Sequence, residues 1–149
     1  MNKFIILMPL IFLAAGCNKP MQQVEKKNIL SIGNSRVEVD IAKTDDEQRL
    51  GLGLRDSLPE NRGMVFIFAP PQKPTFWMKD MRFPLDFIWI SAGKVTQIMA
   101  DVPAEPGVAD DALKQYRPAN YIDSVLEVNA GWAARHGIKV GDSTTLTTE

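Results

Sequence analysis

The sequence predicts a mainly β domain, a sandwich or barrel with two short helices at its margin. Three observations carry that expectation. Apolar residues recur with period two in several short runs, as at Val37, Val39 and Ile41. Turn residues such as Gly33-Asn34 and Ala92-Gly93 separate those runs at short intervals. Helix signals are confined to two places, after Thr44 and after Asn129. Seven or so short strands with little helix make one β-rich domain whose strand order is not readable. At 149 residues and 45% apolar content, the chain suits one domain plus a tether and can bury a core without staples.

The globular domain is expected over residues 29–149. Residues 29–32, a Gly33-Asn34-Ser35 turn and residues 36–42 read as a hairpin with Arg36, Glu38 and Asp40 on its outer face. Thr44-Asp45-Asp46-Glu47 is a capping box, and its acids suit the positive end of a helix that stops near Gly51. Residues 55–63 read as loop. Residues 64–68 form an apolar run that ends before Pro70-Pro71, which predicts a strand covered on both faces. A turn at residues 91–94 leads into a strand at 95–102, and residues 103–119 make a long acidic loop. Residues 120–128 read as a strand. Asn129 is placed as the cap of a helix over 130–136, stopped by Gly137. A Gly141-Asp142 turn leads to a threonine-rich edge strand.

Residues 75–90, TFWMKDMRFPLDFIWI, are the most aromatic stretch. Four charged residues and Pro84 interrupt it, which excludes a membrane helix, and it reads as two strands around a tight connection. Alternation over 75–79 puts Phe76 and Met78 on one face and Trp77 and Lys79 on the other. In the second strand Leu85, Phe87 and Trp89 share one face, so Asp86 lies on the opposite stripe with Ile88 and Ile90. A carboxyl there must be solvated or paired, and Lys79 and Arg82 are its nearest cations in sequence.

The N-terminus predicts export. Lys3 precedes ten apolar positions, 4–13, well short of the roughly 20 that cross a bilayer, so residues 1–16 read as a signal peptide. Leu13-Ala14-Ala15-Gly16-Cys17 resembles the lipobox of bacterial lipoproteins, with Leu13 one place earlier than usual. That resemblance implies cleavage before Cys17 and lipidation of its sulfur and new amino group. One cysteine offers an exported chain no internal disulfide, and an acyl anchor accounts for it. Residues 17–28 are then the lipidated cysteine and a flexible linker. The mature chain would sit on a membrane, facing the periplasm or the cell exterior; Asn18 resembles the outer-membrane sorting pattern if the cell is Gram-negative. From residue 29 onward 13 Lys and Arg face 17 Asp and Glu, a net −4 that argues against nucleic acid as a partner.

Candidate chemistry centres on Trp77, Lys79 and Asp86, a stacking surface and an ion pair that could hold a glycan or small polar ligand. The alternative is that Trp77 packs in the core while Lys79 and Asp86 satisfy each other or backbone amides. Asp86 with Asp80, Asp101 or Glu127 could form the carboxylate pair of an envelope hydrolase, although the chain offers no nucleophile elbow and no second histidine. Tyr121 and Trp132 offer a second glycan platform. Met64, Met78, Met81 and Met99 could present thioethers to copper but read as core filler. His136 suits a helix C-terminus, so no metal site and no cofactor are expected.

Four ordered stretches, residues 44–55, LPENRGMVFIF at 58–68, FWMKDMRFPLDFIWI at 76–90, and VLEVNAG through GIKVGD at 125–142, resemble domain-of-unknown-function family 192 of bacteria and archaea. The family usually carries methionine where this chain has Gly53. The resemblance implies a compact jelly-roll-type β sandwich and supplies no catalytic residues. The function expected is a lipid-anchored, non-catalytic binding module of the cell envelope, with a hydrolase or a structural, protein-binding module as alternatives.

Overall fold

The computed structural model describes residues 26–149. The expected signal peptide at 1–16, the expected lipidation at Cys17 and most of the expected linker lie outside the described residues. Seven strands, β1 (Asn28–Ile32), β2 (Ser35–Ala42), β3 (Arg62–Gln72), β4 (Leu85–Ser91), β5 (Lys94–Val102), β6 (Ile122–Asn129) and β7 (Thr144–Thr148), join two short helices, α1 (Asp45–Leu50) and α2 (Trp132–Arg135). The strands form one sheet in the order β5-β4-β6-β3-β2-β1-β7. Every pairing is antiparallel except that of β2 with β3. The sheet curls until its two ends meet, where Lys94 bridges Ser143 and Thr144 N–H donates to Gly93 O at 2.8 Å. The expected mainly β class is therefore observed, as a single half-closed barrel rather than two separate sheets. No helix among the described residues is long and apolar enough to cross a membrane.

The central strands are buried on both faces. In β4 every residue from Leu85 to Ile90 is buried. One face packs Ile88 and Ile90 with Leu126, Val128, Val39, Trp132 of α2 and Ile138 after it. The other packs Leu85, Phe87 and Trp89 with Phe66, Phe68 and Val125. Two loops cover this second face and bring Phe76, Met78, Met81 and Tyr116 onto it. Phe76 lies within 5.1–6.3 Å, centroid to centroid, of Phe66, Phe68, Phe87 and Trp89. Burial of such a side chain contributes about 1.5–3 kcal/mol, and edge-on aromatic pairs add to it.

Three local expectations are corrected. Residues 75–79 are not a strand: only Phe76 pairs, exchanging two 2.9 Å backbone hydrogen bonds with Tyr116. This segment lies over the sheet as a cover, so its inward residues are held by packing rather than by a ladder. β3 continues through Pro70-Pro71 to Gln72, because its register with β6 is broken between Ile67 and Gln72 and the prolines remove no ladder bond there. The second helix begins at Trp132, and Asn129 does not cap it; its Nδ2 donates to Leu58 O at 2.8 Å.

Asp86 provides that cap from another strand. Its carboxyl oxygens accept from the backbone amides of Gly131 at 3.0 Å, Ala133 at 2.9 Å and Asp101 at 2.9 Å. The first two open α2. The third belongs to the β5 residue at φ 54, where the register between β4 and β5 shifts. Of the two readings of Asp86, satisfaction by backbone amides is the one observed, and neither Lys79 nor Arg82 pairs with it. Lys79 binds Asp110 and Arg82 binds Asp56.

Each buried donor left without a partner costs roughly 1–3 kcal/mol. Asp86→Ala is therefore expected to lower stability by about 3–5 kcal/mol, and Asp86→Asn, which keeps one acceptor oxygen, by about half as much. Urea titration of both variants measures this, and a loss below about 1 kcal/mol for Asp86→Ala would refute the capping role.

Candidate functional site

The cover segment and the end of α1 enclose a cleft on the aromatic face. The capping box forms as expected: Thr44 Oγ1 accepts from Glu47 N–H, and the Glu47 carboxyl accepts from Thr44 N–H at 2.9 Å. Those amide hydrogen bonds hold the Glu47 carboxyl below its ordinary pKa. Gln48 Nε2 donates to Ile67 O at 2.8 Å and ties the helix to β3. After Gly51 the chain turns, and Leu54 N–H donates to Asp80 O at 3.0 Å, stitching this turn to the cover segment. Leu54 and Asp80 both have left-handed backbone, φ 66 and 56, which for leucine is strained. Leu50 and Leu54 are exposed beside this junction, at the mouth of the cleft.

Two adjoining cavities, of about 200 and 340 Å³, open here. Arg49, Leu50, Gly53, Trp77 and Lys79 line both. The alternation expected for residues 76–79 is observed in the side chains: Phe76 and Met78 are buried, while Trp77 is 44% exposed on the cleft wall. Gly53 lets the two segments approach, because a Cβ there would lie 2.9 Å from Leu50 O and 3.4 Å from Lys79 O. Lys79 leans across to Asp110, whose hydrogen bond raises the lysine pKa. Asp110 sits on a short turn, Asp110–Ala112, so the long acidic loop forms the far wall of the larger cavity.

The smaller cavity ends on Glu127. This β6 residue pairs across the sheet with Phe87 of β4 and Met64 of β3 and is 5% exposed. Among the described residues its carboxyl has no hydrogen-bond or ion-pair partner, and burial alone pushes its pKa up to about 8. Close approach of β3 holds the strand in place, since a Cβ on Gly63 would lie 2.8 Å from Glu127 O. Sequence reasoning counted Glu127 only among several carboxylates. Spacing alone does not isolate it, because its stripe on β6 is Asp123, Val125, Glu127 and Asn129; only the cover over the second face buries it.

The structure brings Trp77 and Lys79 together on the cleft and leaves Asp86 out. Asp86 pairs in register with Val128 and so points to the opposite face from Glu127, which aligns with Phe87. The carboxylate pair expected of a hydrolase through Asp86 is thus not assembled with Glu127. The second aromatic platform is not formed either: Tyr121 is exposed, but Trp132 is buried and stacks on His136 at 4.1 Å. His136 Nδ1 bonds Trp132 O at the end of α2. Met64, Met78 and Met81 pack in the aromatic cluster with Met99 against it. Among the described residues no group of three or more His, Cys, Asp and Glu could hold a metal ion.

Glu127 should leave a signature in the pH dependence of folding. Its folded pKa of about 8 exceeds the ordinary 4.5, so the folded state keeps a proton that the unfolded state has lost. The contribution is fully present below pH 4.5, falls by about 1.4 kcal/mol per pH unit between 4.5 and about 8, and is flat above. Glu127→Gln removes this slope, so the variant is expected to gain stability over the wild type as pH rises from 5 to 8. Parallel slopes in paired urea titrations would contradict a protonated, buried Glu127.

Residues 28–146 match the family described as Uncharacterized ACR, domain-of-unknown-function family 192. No curated protein matches the chain. Among solved structures, a protein of unknown function from Novosphingobium aromaticivorans is similar, at 32% identity and TM-score 0.69, over 80% of this chain and 83% of that one. A proposed transcription regulator from Sinorhizobium meliloti shares the fold at 24% identity and TM-score 0.72, over 81% of this chain and 93% of that one. The match spans β1 to β6, the first residues of β7 and every residue of the cleft, and the chain belongs to domain-of-unknown-function family 192.

Proposed function

We propose that the protein is a lipid-anchored, non-catalytic binding module of the bacterial cell envelope, holding a glycan or other small polar ligand in the cleft between α1 and the cover segment. The observation that carries the reading is Trp77, a large aromatic side chain held open to solvent on a cavity wall while its neighbours Phe76 and Met78 are buried. A tryptophan face offers a stacking surface, and Lys79 and Arg49 supply donors at the mouth. Strain at Leu54 and Asp80 beside the cleft supports the same reading, since strained backbone is retained where surrounding structure and function require it. The signal-peptide-like N-terminus and the lipobox-like stretch ending at Cys17 support a position at a membrane surface, in the periplasm or at the cell exterior.

The hydrolase alternative is weakened, because the oxygens of Asp86 are occupied by three backbone amides on the far side of the sheet. The regulator role named for the Sinorhizobium protein is not carried over, since the domain is acidic and a nucleic-acid face would be basic.

A thermal-shift screen against cell-wall glycans tests the reading. A ligand at 100 times its Kd stabilises the folded state by about 2.7 kcal/mol, and the shift is expected to vanish in Trp77→Ala. Shifts that survive Trp77→Ala would place binding elsewhere. Membrane attachment is tested separately: Cys17→Ser is expected to move the protein to the soluble fraction, and continued pelleting with membranes would overturn the anchor.

A further inference from the structure

We propose that Glu127 is the polar anchor of the cleft and that it selects neutral, hydroxyl-bearing ring ligands of the sugar class over charged ones. This rests on the reading of the cleft as a binding site and adds to it the residue and the ligand chemistry. Glu127 is 95% buried, lines the smaller cavity and has no partner among the described residues. A buried polar group left unpaired is costly, and a ligand that supplies the missing hydrogen bonds recovers that cost on binding.

The surroundings decide the ligand's charge. The strands beside Glu127 present Met64 and Phe66 from β3 and Leu85 and Phe87 from β4, all apolar. The charged side chains lining the cavity with it are Arg49 from α1 and Lys79 from the cover segment, and Lys79 is engaged by Asp110. An ammonium ligand would pass two cations at the mouth. A carboxylate ligand would be drawn to those cations and would shed its water to go deeper, into an apolar wall. A neutral hydroxyl meets neither obstacle. A protonated carboxyl donates one hydrogen bond and accepts another, which matches a hydroxyl that does the same. Burial keeps Glu127 in that form at neutral pH, with its pKa at about 8. The flat C–H face of a sugar ring can lie against Trp77 while its hydroxyl edge reaches inward.

The test uses the purified mature chain and three sugars of one ring type that are neutral, cationic and anionic at pH 6.5, N-acetylglucosamine, glucosamine and N-acetylmuramic acid, titrated by calorimetry at pH 6.5, with N-acetylglucosamine titrated again at pH 9.5. The neutral sugar is expected to bind most tightly at pH 6.5 and to weaken at least tenfold at pH 9.5, where Glu127 has lost its proton. Glu127→Gln, which keeps a donor and an acceptor, is expected to retain binding and flatten the pH response. Glu127→Leu is expected to abolish it. Tighter binding of glucosamine or N-acetylmuramic acid than of N-acetylglucosamine at pH 6.5, or a wild-type affinity for the neutral sugar independent of pH, overturns the proposal. Binding lost in Trp77→Ala but kept in Glu127→Leu overturns the role of Glu127 and leaves the cleft standing. Binding of none of the three overturns the assignment of a sugar ligand to this cleft.

Discussion

The burial of β4 and β6 on both faces is the constraint on which the rest of the structure depends. A strand as apolar as Leu85–Ser91 must be covered above and below, and a sheet of this length covers only one side by curling. The other side needs the cover segment and the long acidic loop, which the Phe76–Tyr116 bridge joins and Phe76 pins to the aromatic cluster. The same constraint gives the two buried acids opposite fates. Asp86 faces the curl, where α2 begins, and meets three amides. Glu127, one strand away and on the other face, meets rings and methionines and keeps its proton. Hydrogen bonds satisfy the one carboxyl, and burial without a partner raises the pKa of the other.

The cleft follows from how the second face is covered. Loops laid over a sheet cannot match it as closely as a second sheet would, and a seam remains where the cover segment meets the turn after α1. Backbone at Gly53, Leu54 and Asp80 brings those segments within hydrogen-bonding distance without closing the seam. Two left-handed non-glycine residues beside it are compatible with a site, because strain of about 1–3 kcal/mol each persists only where neighbouring contacts over-determine it. Rigid sheet below and irregular backbone above is the arrangement in which loops carry specificity and strands carry position.

Membership of an uncharacterised family and likeness to a protein of unknown function leave the chemistry to be argued from the site itself. On the proposed reading the site acts as a receptor rather than a reaction centre. It offers one stacking ring, cations at the mouth and a neutral carboxyl at the base. On the same reading, a lipid on Cys17 would hold such a module at a membrane surface.

Local chemistry was legible in the sequence wherever it involved neighbours along the chain. The capping box at Thr44 and Glu47, the turn at Ala92-Gly93, the two faces of β4 and the inward Phe76 and Met78 all follow from spacing alone. The position of Asp86 on an apolar stripe was equally readable, whereas Glu127, between Val125 and Asn129 on its stripe, was one carboxylate among several. What the tertiary structure decided was which groups meet those two carboxyls. Gly131 and Ala133 lie 45 and 47 residues from Asp86, and Asp110 lies 31 from Lys79, so no local pattern could pair them. Strand order chose the faces, and the faces chose the partners. The sequence determined that Asp86 would lie on an apolar stripe; only the fold determined that Asp86 would cap a helix and that Glu127 would be buried beside a cleft, because the cover that desolvates it comes from distant segments.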